Sequence, residues 1–390
     1  MLNSEAMQPR VILFVVNFFF SVLSALALFI LLPYLSTLMP VAYTGFVVAA
    51  GGLAAVIFFP FLPRLVARYG PQKLALILSL VEMIVLFVLA AAPGIFASIL
   101  LVVVIVAIQP FISYELDLLL EASSDGEGST GRVRALFLTA WNAGGFLAPL
   151  LIGVLLANSD AYGRVFIAAA AALVPCIVLF AARRLPSGKT THPAPMFNTL
   201  ACIFSNRDLA AVTVGHIILW FFYVWAPMYG PIYLHNVLGF SWSELGWIFS
   251  IMLLPYVLLE YPAGWLADRF IGDKELMLAG FLIAGAALAS LSLLTPSSSL
   301  LLILCVLVIS RSGAALVEST TEGHFFRRVT AKDVNSVSIF RGAWPFAYFV
   351  APLIGSGILL IGNYQLLFIL TGGFVALGGA IATLLIKDIR

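Results

Sequence analysis

Charge is what this sequence has least of. Lys, Arg, Asp and Glu together make up 10% of its 390 residues, against 62% that are hydrophobic. That much apolar surface has no place inside a soluble domain of this length, so a water-soluble globular fold is excluded and an all-α polytopic membrane protein is implied. The net charge is only +2. The cations are dispersed along the chain rather than gathered into a run, which removes nucleic acid as a partner. Cysteine is scarce as well. Cys176, Cys202 and Cys305 lie far apart and form neither a CxxC nor a Cys/His pattern, so they read as packing thiols. Among the 4 histidines there is no His/Asp cluster, and no glycine-rich phosphate cradle or metal-ligand spacing occurs. No metal or cofactor is therefore expected, and a membrane-embedded enzyme is the remote reading.

What the sequence has instead is length of apolar run. The stretch from Val11 to Leu35 is far longer than a signal-peptide core and lacks a small-x-small cleavage pattern before polar sequence, so it reads as a retained first helix. A window of about 20 apolar residues per crossing divides the chain into twelve spans: 11–35, 43–66, 73–93, 95–120, 133–157, 161–184, 209–236, 241–267, 274–295, 298–324, 334–361 and 364–386. An even count puts both termini on one side. With that side cytoplasmic, nearly all Lys and Arg fall there, leaving Arg164 outside and Arg311 and Arg341 within helices. The expectation is a multi-pass, monomeric protein of the plasma membrane with both termini cytoplasmic.

The one long connection, 185–208, is basic and proline-bearing and then turns amphipathic at Phe197, Leu200 and Phe204, as an interfacial helix does. It separates a six-helix bundle over 1–184 from another over 209–390. The halves repeat. "AWNAGGFLAPLLIG" from 140 matches "AWPFAYFVAPLIG" from 343, with Trp141 and Trp344 each seven residues before an Ala-Pro-Leu. The same offset of 203 carries Glu115 onto Glu318. "PRLVARYGPQK" from 63 answers "AGWLADRFIGDK" from 263. Duplicated six-helix halves are a secondary-transporter architecture.

The segment "GWLADRFIGDK" resembles the loop signature of the major facilitator superfamily, through Gly264, Asp268, Arg269 and Lys274, with one extra residue before Gly272. In the first half Arg68, Gly70 and Lys73 fit, but Pro63 replaces the glycine and Ala67 the aspartate. The resemblance implies a twelve-helix transporter working by alternating access, with spans 1, 4, 7 and 10 lining a central cavity. The missing aspartate implies a cytoplasmic lock resting on Asp268 or on other ion pairs. A weakened antiporter-like pattern, Gly144-x-x-x-Ala148-Pro149-x-x-Ile152-Gly153, also reads as small-residue helix packing.

A charge near the bilayer centre costs at least about 2.5–3.5 kcal/mol, so one that persists there has a use. Arg311, Glu318 and Glu322 follow an apolar run, and spacings of seven and eleven residues set all three on one helical face. Arg311, at mid-depth, is expected to meet an anionic group between the halves. Glu318 and Glu322, with Glu115, Asp268, Arg269, Arg68 and Arg341, are expected in a cytoplasmic gate of ion pairs. Glu82, deep in span 3, is either a satisfied carboxyl or a proton carrier. Asn17, Gln109, Tyr114, Asn142, Trp220 and Tyr223 would complete a mostly apolar substrate cavity. These features favour proton-coupled efflux of small amphiphilic compounds, with uptake of a small anionic metabolite as the alternative that Arg311 supports.

Overall fold

A computed structural model describes residues 4–123, 130–186, 201, 203–329 and 334–387. Twelve helices among them are long and apolar enough to cross a membrane. In lipid no water is available to bond a free N–H or C=O, so a continuous helix, which satisfies its backbone internally, is the form these runs must take. The helices are α1 (Ser4–Ser36), α2 (Val41–Phe58), α3 (Leu62–Tyr69), α4 (Pro71–Ala90), α5 (Ile95–Ala122), α6 (Thr130–Leu156) and α7 (Gly163–Ala182), then α8 (Arg207–Ile232), α9 (Trp242–Arg269), α10 (Asp273–Ser290), α11 (Leu300–Arg328), α12 (Val334–Arg341), α13 (Ala343–Ile361) and α14 (Tyr364–Leu384).

Four expected spans are not single α-helices: the seventh ends in a π turn at Tyr233–Val237 and the ninth in a 3-10 turn at Leu291–Leu293. The second bends through a 3-10 turn at Phe59–Phe61, where Pro60 removes a backbone donor, and α3 completes it. The eleventh is divided at Gly342 into α12 and α13. In the connection before α8, Phe204 is exposed, while Phe197 and Leu200 lie outside the described residues.

The chain divides into two compact units, one of Met1–Met39, Ala50–His192 and Ser241–Ser250, the other of Pro40–Ala49, Pro193–Phe240 and Ile251–Arg390. In the first, α1 packs on α5, α6 and α7, and α4 packs on α5 and α7. In the second, α8 packs on α11, α13 and α14, and α10 packs on α11 and α14. Taken in span order, these are the same five pairings. Small residues set the closest approaches. A Cβ on Gly285 would stand 2.5 Å from the carbonyl oxygen of Gly372, and one on Gly280 would stand 2.7 Å from that of Gly313, so α10 meets α14 and α11 backbone to backbone. In the first unit a Cβ on Gly144 would stand 2.5 Å from the Phe18 oxygen, which gives this glycine of the antiporter-like pattern a packing role between α6 and α1.

The two signature loops share a further feature. Gly70, between α3 and α4, has φ +79° and ψ 151°, and Gly272, between α9 and α10, has φ +102° and ψ 156°. This is backbone territory that essentially only glycine occupies.

Candidate functional site

In the second unit, α8 and α11 bring together the residues that carry chemistry. α11 is apolar at its start and polar in its second half, so its packing against α8 sets Arg311, Glu318 and Glu322 at successive depths. Arg311 is 3% exposed. Its guanidinium carbon lies 4.9 Å from the centre of the Phe222 ring, a cation–π contact of the kind that gains strength away from water. No carboxylate stands within ion-pair distance of it among the described residues. Two turns further along, the Tyr223 hydroxyl donates to Glu318 Oε2 at 2.6 Å. One turn beyond, Arg341 of α12 forks onto Glu322, with Nη1 to Oε1 at 2.6 Å and Nη2 to Oε2 at 3.3 Å.

Aromatic rings surround this polar stripe. The Trp220 and Trp344 rings lie parallel at 10° with centroids 5.3 Å apart, and Tyr223 meets Trp220 edge-on at 5.7 Å. Tyr256 of α9 approaches Tyr223 from the other side at 5.9 Å. The Trp220 indole N–H donates to His216 Nε2 at 3.0 Å. Since an indole nitrogen only donates, His216 carries its proton on Nδ1, and its ring stacks on Phe340 at 3.8 Å. The result is a half-buried aromatic wall with one hydroxyl–carboxyl pair set in it.

In the first unit, Glu82 and Gln109 form a pair that the sequence did not suggest. Gln109 Nε2 donates to Glu82 Oε1 at 3.1 Å, and Glu82, 0% exposed, keeps its other oxygen without a hydrogen-bond partner among the described residues. Glu115, also 0% exposed, has no hydrogen-bond partner at either oxygen among the described residues. Asn17 donates to the Phe137 carbonyl at 2.8 Å and so ties α1 to α6. Tyr114 packs against Phe59 with centroids 5.5 Å apart, and Asn142 is half-buried on α6.

Of the residues expected at a gate, Glu322 and Arg341 are brought together, while Glu318 is joined instead to Tyr223, a residue expected in the cavity. Arg68 and Arg269 lie over neighbouring rings, Tyr69 at 5.2 Å and Trp265 at 5.8 Å. The side chain of Asp268 lies outside the described residues. A separate charged cluster was missed. Asp208, 1% exposed, accepts from Arg328 at 2.8 Å, from the Lys387 backbone N–H at 2.6 Å and faces His324 Nε2 at 3.2 Å. The other His324 nitrogen faces Asp273 Oδ2 at 3.1 Å, and Arg327 donates to the same aspartate. This cluster fastens the end of α11 to the starts of α8 and α10. The only signal available in the sequence was an isolated His324 in an apolar helix.

The sequence profile of the Major Facilitator Superfamily matches residues 13–245 and 226–390. Among solved structures, a variant of the nucleoside transporter NupG superposes with a TM-score of 0.79 at 14% identity, over 97% of this chain and 100% of that one. A bacterial homolog of the human lysosomal transporter Spinster, in an inward-facing and occupied conformation, gives 0.75 at 13%, covering 96% of each chain. A variant of the peptide transporter POT bound to sulfate gives 0.75 at 15%, over 96% of this chain and 93% of that one. No curated protein matches the sequence. At such identities the likeness carries the fold.

Proposed function

The chain belongs to the major facilitator superfamily and is a multi-pass membrane transporter, and on that premise we propose that it couples proton movement to the export of small amphiphilic organic compounds. The observation that carries this reading is the pair Glu82 and Glu115, both fully buried in membrane-spanning helices and neither facing a cation among the described residues. Intramembrane carboxyls of this kind are the usual stations of proton relays. A carboxyl kept only for structure would be expected beside an Arg or Lys, as Glu322 is beside Arg341.

The aromatic wall of Trp220, Trp344, Tyr223 and Tyr256 suits a substrate with a flat apolar body, since indole and phenol rings offer large contact area and few hydrogen bonds. Direction follows from the same chemistry. An amphiphile that crosses a bilayer unaided needs no importer, so a protein that binds one is useful when it works outward. We place both termini in the cytoplasm, from the distribution of Lys and Arg, and take the protein to work as a monomer in the plasma membrane. The six-plus-six division at 185–208 and the gate formed by Glu322 and Arg341 belong to the same proposal.

Arg311 favours a second reading. A buried guanidinium with the Phe222 ring beside it and no carboxylate in ion-pair distance among the described residues is suited to an anionic group, as proton-coupled uptake of a small anionic metabolite would require.

Proteoliposomes loaded with a pH-sensitive dye distinguish these readings. Addition of ethidium, a flat amphiphilic cation, should drive proton movement opposite to its own, and Glu82→Gln or Glu115→Gln should abolish that movement with the protein still folded. Ethidium transport without proton movement would refute the coupling. Proton movement in the same direction as an added monocarboxylate, lost in Arg311→Ala, would replace the first reading by the second.

A further inference from the structure

From Glu5 to Glu82 the sequence contains no Asp or Glu. Within that interval stand Arg64, Arg68 and Lys73, on α3 and the first turn of α4. All three are exposed, and none has an acidic partner among the described residues. Among the described residues, their contacts with charge character are to rings. Arg64 lies 5.8 Å from the Phe61 ring, and Arg68 and Lys73 lie 5.2 and 5.8 Å from Tyr69. α3 is amphipathic, with Leu62 and Val66 buried against Leu74 and Phe111 while Phe61, Leu65 and Tyr69 are exposed beside the cations.

A second cationic segment is held against this one. Gln72 Nε2 donates to the carbonyls of Phe180 and Arg183, at 2.7 and 2.5 Å, and Gln72 Oε1 accepts from the Leu185 N–H at 2.9 Å. These bonds fix the end of α7, and with it the exposed Arg183 and Arg184, next to Lys73. Five cations from two segments therefore share one rim of the first unit, where three membrane-spanning helices end.

The corresponding loop of the second unit is built differently. There Lys274 itself donates to the carbonyls of Leu384 and Ile386, at 3.2 and 3.1 Å, and so does the tethering that Gln72 does in the first unit. Its neighbour Asp273 is paired with Arg327 and His324. Gln72 thus releases Lys73 from structural duty, and Ala67 leaves the first loop without the acid that would neutralise it. The balanced loop needs no outside partner, whereas the cationic one does.

We propose that the rim formed by Arg64, Arg68, Lys73, Arg183 and Arg184 binds the headgroups of anionic phospholipids. The exposed Phe61, Leu65 and Tyr69 place apolar surface at the acyl boundary while the cations reach phosphate. Mixed ring-and-cation surfaces of this kind belong at the membrane interface, and each cation near an anionic membrane surface raises the affinity about fivefold.

The test uses the purified full-length protein in detergent, with phosphatidylglycerol or phosphatidylcholine added and the bound lipid counted by native mass spectrometry. Phosphatidylglycerol should be retained in preference to phosphatidylcholine. Arg64→Gln and Arg68→Gln should each reduce that preference about fivefold, and the triple Arg64→Gln, Arg68→Gln, Lys73→Gln variant should remove it. Arg269→Gln, an exposed cation on the second unit, should leave it unchanged. Inorganic phosphate at the lipid's concentration should not compete. Equal retention of the two lipids, an undiminished preference in the single variants, an equal loss in Arg269→Gln, or displacement by phosphate would each overturn the proposal. None of these readouts depends on which solute is transported.

Discussion

The bond between Tyr223 and Glu318 can be measured as an energy. Tyr223→Phe removes one oxygen and leaves the ring, so its contacts with Trp220 and Tyr256 survive while Glu318 loses its donor. Glu318→Met removes the acceptor and keeps most of the volume. A hydrogen bond to a neutral partner contributes about 1 kcal/mol and one to a charged group about 1.5–3 kcal/mol. At 2.6 Å the bond is short for O–H···O and lies at the charge-assisted end of the range. Each single variant should therefore destabilise the protein by about 1–3 kcal/mol. The double variant should cost less than the sum, with a coupling energy of at least about 1 kcal/mol. Reversible unfolding in mixed micelles, followed by tryptophan fluorescence, gives all four corners of the cycle. Additivity within about 0.5 kcal/mol would mean that the two groups do not interact, and the polar stripe on α11 would lose its link to α8. The same variants should differ in transport. If protons pass through this pair, Glu318→Met should uncouple solute movement from the proton gradient, whereas Tyr223→Phe should retain coupling at a reduced rate.

Two further outcomes concern the frame around the site. Gly70→Ala meets no atom within 4 Å of the new Cβ, so its cost is backbone strain alone, about 1–3 kcal/mol, and should appear as a lowered thermal midpoint without loss of the helical signal. Asp208→Ala leaves Arg328, His324 and the Lys387 N–H without their shared acceptor. It should destabilise by about 3–5 kcal/mol, as breaking a buried ion pair does, and hydrogen exchange at the end of α14 should rise more than elsewhere.

Hydropathy found each of the twelve helices that are long and apolar enough to cross a membrane, because length and apolarity are local properties of the chain. The loop signature also marked Gly70 and Gly272, since a loop that must reverse direction in so few residues leaves a backbone only glycine adopts. Pairings were another matter. Gln109 meets Glu82 across 27 residues and His324 meets Asp208 across 116, and such meetings depend on how each helix is rotated about its axis. In a soluble helix the apolar stripe reports that rotation. These helices are apolar on every side, so the sequence carries no such mark. The Arg311–Glu318–Glu322 stripe was legible because three charges on one face are themselves a mark. Which partner each would take was not, because Tyr223 and Arg341 stand on other helices.

The repeat makes one last inference possible. Tyr34 packs on Phe166 and Tyr233 on Phe368, both with centroids 5.1 Å apart, which aligns Tyr34-Leu35 of α1 with Tyr233-Leu234 just past the end of α8. Thirteen residues earlier the same register sets Ser21, bonded to the Trp141 carbonyl, against Trp220, stacked on Trp344. Ten residues earlier it sets Ser24 against Tyr223. Glu318 thus has a phenol to bond, while the same register would set a serine against its counterpart Glu115, and among the described residues neither the Ser24 hydroxyl nor either Glu115 oxygen has a hydrogen-bond partner. A buried polar group left unbonded costs about 1–3 kcal/mol, so removing it should restore that energy. Glu115→Met should raise the unfolding free energy by about 1 kcal/mol or more, where Glu318→Met lowers it. Opposite signs at two positions of one repeat would mean that the first half keeps its carboxyl against the interest of stability, as a proton-carrying group is kept. Equal losses at both would show that Glu115 is bonded like its counterpart, and the case for it in proton coupling would fall.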